Sequence, residues 1–137
     1  MSLELVPVTF HKIMQSKAYT VIILGNEKKK FAIYTAPHVG LDLQNLLTQE
    51  EKPRPFTHDL MNAIFKGFDI NILQIVISDV EDTIYFARLF LEQKIGETKQ
   101  ILEIDARPSD CLVLAMANNI PLFCKKDIFD KTIPVEE

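Results

Sequence analysis

The spacing of hydrophobic positions changes several times along the chain, and each change marks an element. Leu3 to Phe10 alternates, with Leu3, Leu5 and Pro7 on one side and Val6, Val8 and Phe10 on the other, which is the period of an opening strand. Tyr19 to Leu24 is a second, β-branched strand; Gly25-Asn26-Glu27-Lys28 supplies turn chemistry, and Lys30 to Thr35 returns as a third. Pro37 ends that strand, and Val39, Leu43, Leu46 and Leu47 recur at helical spacing, predicting a short amphipathic helix over Val39 to Leu47. Thr48 to Pro55 is charged, carries Pro53 and Pro55, and reads as a mobile loop.

A second helix is expected from Thr57, read as its N-cap, with Phe56 packing on Met61 as a hydrophobic staple and Gly67 as a left-handed C-cap. Ile70 to Ser78 is apolar at most positions, the pattern of a strand covered on both faces. Asp79 to Asp82 turns the chain into a strand over Thr83 to Glu92, Lys94 to Glu97 turns it again, and Thr98 to Asp105 follows, predicting an antiparallel meander. Pro108 suits the first position of a helix whose Cys111 to Ala117 run is apolar almost all round and therefore buried on more than one side. Asn118-Asn119 stops it, Pro121 to Cys124 makes a short strand, Lys125 to Phe129 a last helical turn, and Thr132 to Glu137 a frayed tail. The expected fold class is therefore mixed α+β, with strands in two antiparallel groups and helices set between them, in a single domain over residues 1–137.

Composition narrows the function classes. The 137 residues are 47% hydrophobic, enough for one core, and the net charge of −4 leaves no global positive field to attract a polyanion. Any nucleic acid would have to be held locally. Cys111 and Cys124 match no zinc spacing and read as buried, reduced thiols of a cytoplasmic protein. The first residues lack a basic head followed by an apolar run, and no apolar stretch approaches the roughly eighteen residues of a membrane span, so no membrane partner is expected. No glycine-rich phosphate loop, G-x-S-x-G elbow or H-E-x-x-H occurs, which sets aside the usual nucleotide enzymes, serine hydrolases and zincins.

The candidate chemistry sits at two helix starts. Arg54-Pro55-Phe56-Thr57-His58-Asp59 and Asp105-Ala106-Arg107-Pro108-Ser109-Asp110 each order an Arg-Pro, a hydroxyl residue and an Asp. Together they offer three carboxylates, two guanidiniums, a histidine and two hydroxyls. Carboxylates hold Mg²⁺ or Mn²⁺, guanidiniums fork onto phosphate oxygens, and histidine moves a proton near neutral pH. The same residues also suit a structural clamp, with Arg54 and Arg107 paired to Asp59, Asp105 or Asp110 and Thr57 acting only as a cap. His11 and His38 stand alone in the sequence and are assigned no role.

The pair of motifs resembles the bifunctional nuclease domain family, whose typical forms are R-P-L-T-H-D-L and D-A-R-P-S-D-A-I-A-L-A. Here the first differs by Phe56, and the second continues Cys111-Leu112-Val113-Leu114-Ala115. The similarity runs from about Leu3 to Asp130. It departs over Ala32 to Leu43, where the family's glycine followed by a glutamate-bearing helix is not reproduced. The resemblance implies a wedge-shaped homodimer with a groove at its thick end and activity on DNA and RNA. Carried over by motif, His58, Asp59, Asp105 and Asp110 are the expected catalytic residues, Arg54, Thr57, Arg107 and Ser109 the expected phosphate or substrate contacts, and Asp105 and Asp110 the expected ligands of a Mg²⁺ or Mn²⁺ ion. The expected function is a phosphodiester-hydrolysing nuclease. The alternative is a non-catalytic dimeric binding or regulatory domain whose Arg and Asp residues form a structural polar network.

Overall fold

The computed structural model describes residues 4–49 and 52–135. In chain order the elements are β1 (Leu5–Gln15), β2 (Thr20–Gly25), β3 (Lys30–Thr35), α1 (Pro37–Thr48), α2 (Thr57–Gly67), β4 (Ile70–Glu81), β5 (Ile84–Ile95), β6 (Thr98–Ala106), α3 (Pro108–Asn118), β7 (Leu122–Lys125) and α4 (Lys126–Lys131). The α+β class and the β4–β5–β6 meander are as the periodicity predicts. The separation into two strand groups is not.

All the strands form one seven-stranded sheet in the order β3-β2-β1-β7-β4-β5-β6. The joint is β7, which runs antiparallel to β1 through Val6↔Cys124 and Val8↔Leu122, and parallel to β4 through Ile75↔Leu122 and Ile77↔Cys124. Such pairings link residues far apart in the chain, and local periodicity carries no information about them. The sheet also curls, because Phe31 of β3 lies 5.6 Å ring to ring from Tyr85 of β5, although four strands separate β3 from β5 in the sheet.

The core lies against the concave side of this curl. Ile22, Leu24, Phe31 and Ile33 meet Ile75, Ile77, Ala87, Leu89 and Leu91, and α3 lays Cys111 to Ala115 across them while α1 adds Val39 and Leu43. Each Val, Leu, Ile or Phe side chain among them that is fully removed from water contributes about 1.5–3 kcal/mol against the ordering cost of the chain. β4 is buried continuously only over Ile75 to Ile77 and alternates at both ends, so Ile70 to Ser78 is not covered on both faces throughout. The central stretch lies between β7 and β5, and the ends reach past β7 while staying paired with β5.

Three local expectations change. Gly67 ends α2 without a left-handed conformation; that turn falls to Asp69, with φ 59°. The lysine run Lys28 to Lys30, whose place at the tip of the β2–β3 hairpin predicts a solvated turn, is not simply solvated, because Lys29 Nζ donates to the Phe129 carbonyl at 2.7 Å and lies 5.4 Å from the Phe129 ring centroid. A cation suits that position, at the negative C-terminal end of α4. The described part of the tail is tied down rather than frayed: Thr132 is buried with its hydroxyl on the Phe129 carbonyl, and the Val135 N–H reaches the Lys30 carbonyl at 2.8 Å. Residues 136–137, and residues 50–51 of the expected mobile loop, lie outside the described residues. Asn119 stops α3 as expected, with φ 55° and its N–H on Ala115 O. Among the described residues no helix is long and apolar enough to cross a membrane.

Candidate functional site

The second motif is shaped by the end of a strand. β6 pairs with β5 as far as Ala87↔Ala106, and the chain then turns at Arg107, whose extended backbone (φ −70°, ψ 140°) caps α3. Pro108 occupies the first helical turn, where its missing N–H costs nothing, and the Cys111 N–H bonds back to the Arg107 carbonyl at 3.2 Å. The apolar run that follows pulls α3 onto the core and leaves Arg107 at the rim.

There the guanidinium makes a two-pronged contact with Asp110, Nε to Oδ2 at 2.9 Å and a terminal nitrogen to Oδ1 at 3.2 Å. Both partners face solvent, with side chains 76% and 50% exposed. The hydrogen bonds and then the charge of Asp110 raise the pKa of Arg107, so the guanidinium stays charged. Arg107 and Ser109 line a solvent-open pocket of about 350 Å³ together with Thr35, His38, Thr83 and Tyr85. Asp105 stands on β6, opposite Arg88, and is exposed.

The first motif is built differently. α2 starts at Thr57, but the N-cap position belongs to Phe56, so Thr57 is the first helical residue and not the cap. The reason is Asp59, which sits at the third helical position and accepts the Phe56 N–H at 2.7 Å, supplying the carboxylate half of a capping box. The same carboxylate oxygen accepts Lys52 Nζ at 2.5 Å, and Lys52 also lies 4.8 Å from the Phe56 ring centroid. Partial burial pushes the Asp59 pKa upward, but the Lys52 and Phe56 hydrogen bonds and the charges of His58 and Lys52 outweigh it and hold the carboxyl below its ordinary value.

His58 is 5% exposed, and its Nε2 is buried without a hydrogen-bond partner among the described residues. The carboxylate neighbour, Asp59 Oδ1, is 3.6 Å away, too far for a hydrogen bond. A buried polar atom left in this state costs free energy. Arg54 and Thr57 are exposed.

The structure thus brings Arg107, Ser109 and Asp110 to one helix start and His58 and Asp59 to another. The pocket beside Arg107 is lined by no residue of the first motif. No cross-motif clamp forms among the described residues: each motif satisfies its own carboxylate, Asp110 through Arg107 and Asp59 through Lys52. Packing between the two helices is carried farther along, where Asn118 of α3 donates to the Asn62 side-chain oxygen of α2 at 2.9 Å. Sequence reasoning missed Lys52, which lay in a stretch read as loop, and His38, which lines the pocket beside Arg107. A lysine five residues before the helix and a lone histidine after a proline form no motif, so no local signal singled them out.

The donor set fits a metal ion poorly. Asp110 is already engaged by Arg107, and among the described residues no three His, Cys, Asp or Glu side chains gather into a group that could hold one.

Two comparisons place the chain among known proteins. The family model described as bifunctional nuclease domain matches residues 21–136, a span that contains both motifs. Uncharacterized proteins from Mycobacterium tuberculosis strains CDC 1551 / Oshkosh and ATCC 25618 / H37Rv are each 26% identical over 78 residues, 57% of this chain. The match covers 43% of each relative, so the chain aligns with under half the length of either.

Proposed function

Because the chain belongs to the bifunctional nuclease domain family, we propose that it is a nuclease that hydrolyses phosphodiester bonds of DNA, RNA or both, and that it acts as a homodimer in the cytoplasm. The observation that carries this reading is the placement of Arg107 and Ser109. A charged guanidinium and a hydroxyl line a solvent-open pocket at the start of a helix, where a phosphate meets both a fork of donors and the positive end of the helix dipole.

In hydrolysis, water adds to phosphorus while the bond to the leaving sugar oxygen breaks; one proton leaves the water and one reaches the leaving oxygen. His58 Nε2, buried and without a hydrogen-bond partner among the described residues, is the proposed proton carrier, with the Asp59 carboxylate 3.6 Å away. Arg107 and Arg54 neutralise phosphate charge, with Thr57 and Ser109 as hydroxyl contacts. Asp105 and Asp110 complete the proposed carboxylate set.

One observation favours the second reading, a non-catalytic binding or regulatory domain. Two of the three motif carboxylates, Asp59 and Asp110, are occupied by cations of the chain itself. Cleavage of labelled single- and double-stranded DNA and RNA, with EDTA, Mg²⁺ or Mn²⁺, separates the two readings. The nuclease reading expects the rate to fall at least about 10²-fold in His58→Ala. Equal background cleavage by wild type and His58→Ala means the activity is a contaminant and leaves the binding domain.

A further inference from the structure

The two edges of the sheet are treated differently. The β3 edge is covered, at least in part, by the chain's own tail, through the Val135 N–H to Lys30 carbonyl bond. The β6 edge, at the other end of the order, has no strand beside it among the described residues. β6 is nine residues long, and it exposes Ile101 and Leu102 at 62% and 57%. A long edge strand presents a row of unpaired N–H and C=O groups that is a template for another strand.

The geometry points to a second copy of this chain as the occupant, paired antiparallel along β6 about a two-fold axis at Leu102. This rests on the homodimer proposed above and specifies its interface. The hairpin turn fixes which groups are available. Ile95↔Thr98 closes a two-residue turn with Gly96 at φ 61°, so Thr98, Gln100, Leu102 and Ile104 bond inward to β5. Lys99, Ile101, Glu103 and Asp105 then turn their backbone N–H and C=O groups outward.

Antiparallel self-pairing that keeps each copy's sheet faces aligned allows only registers centred on a residue, and few centres are available. Centred on Leu102, Thr98 meets Ala106 of the second copy and the strand pairs over its whole length. Lys99 then faces Asp105 of the second copy, twice by symmetry, and Leu102 meets itself at the axis. Centring on Ile101 sets Lys99 against Glu103 but drives Glu97 onto Asp105. Centring on Glu103 opposes two Glu103 carboxylates, and centring on Gln100 opposes Glu97 and Glu103. Only the Leu102 register avoids like charges, and like charges directly opposite destabilise a pair. In one copy the ion pair Lys99 makes among the described residues is a long one, 4.0 Å to Glu92, and its side chain is 61% exposed, so it can reach a partner.

The test combines mass, charge swap and cross-linking in the full chain. Light scattering is expected to give twice the chain mass at micromolar concentration. Lys99→Asp and Asp105→Lys are each expected to weaken the dimer at least about tenfold, and the double variant to restore it, because the swap recreates both pairs. Under mild oxidation Leu102→Cys is expected to form a disulfide dimer and Ile101→Cys is not; the native cysteines are buried and do not compete. A monomeric mass at all concentrations overturns both the dimer and this interface. A dimeric mass without the Leu102→Cys cross-link, or with charge-swap singles that bind as tightly as wild type, overturns the β6 interface and leaves a dimer formed elsewhere.

Discussion

Replacing Arg107 with alanine separates structure from chemistry at the second motif. The guanidinium touches Asp110 at 2.9 and 3.2 Å, but the two side chains are 76% and 50% exposed, so water competes for both. An ion pair in that setting contributes little to stability, and its loss leaves no buried carboxylate stranded. Arg107→Ala should therefore lower Tm by no more than about 2 °C. If Arg107 neutralises phosphate charge as it develops, the same change should lower kcat/KM for oligonucleotide cleavage by roughly 10²–10³-fold. Differential scanning fluorimetry and a single-turnover cleavage assay on one preparation measure both. A fall in Tm of several degrees with a proportionate loss of activity would refute this reasoning, since Arg107 would then be a structural clamp. Unchanged cleavage would remove the guanidinium from the chemistry.

Asp59→Ala is expected to be the more damaging change for the fold, because it removes the carboxylate that caps α2 and strands Lys52. The loss should be about 1–2 kcal/mol, read as roughly 3–8 °C in Tm at pH 7. Since the folded-state pKa of Asp59 is lowered, its stabilisation is complete above the unfolded value and fades as pH falls, so the Tm difference should close below about pH 4 in urea or thermal melts. Burial pushes the Cys111 and Cys124 thiols up to about 12. Stability should decline as pH rises from about 9 toward 12, and a thiol reagent at pH 8 should label neither residue until the protein is unfolded.

The sequence patterns that proved legible are those whose cause is local. Arg107-Pro108 followed by Ser109 and Asp110 predicts a helix start because proline and acidic residues suit a first turn, and α3 begins at Pro108. Gly96 predicts the β5–β6 turn because its positive φ needs no Cβ. What failed depends on groups distant in the chain or on competition between neighbours. Thr57 is a good cap by type, yet Asp59 reaches back to the Phe56 N–H and shifts the helix start by one residue. The four residues of β7 join both halves of the sheet, and nothing in Leu122 to Lys125 names Val6 or Ile75 as partners. The site was legible as two motifs, but their occupation by Lys52 and the presence of His38 beside Arg107 were visible only in three dimensions.

Asp110 decides how the two readings of the second motif divide. An incoming phosphate needs the same guanidinium edge that Asp110 now holds, so substrate must displace the carboxylate or share the fork with it. Asp110→Asn keeps the side chain's size while removing its charge. If Asp110 only occupies Arg107, the variant should bind oligonucleotide several-fold more tightly, because the net charge against a polyanion drops and the guanidinium is freed. Cleavage should then persist or rise. If Asp110 takes the proton of the attacking water, binding should tighten in the same way while the rate constant at saturation falls by about 10²-fold or more. Fluorescence anisotropy in EDTA and single-turnover rates distinguish these outcomes. Unchanged affinity at low salt would contradict both, since each requires phosphate to meet Arg107.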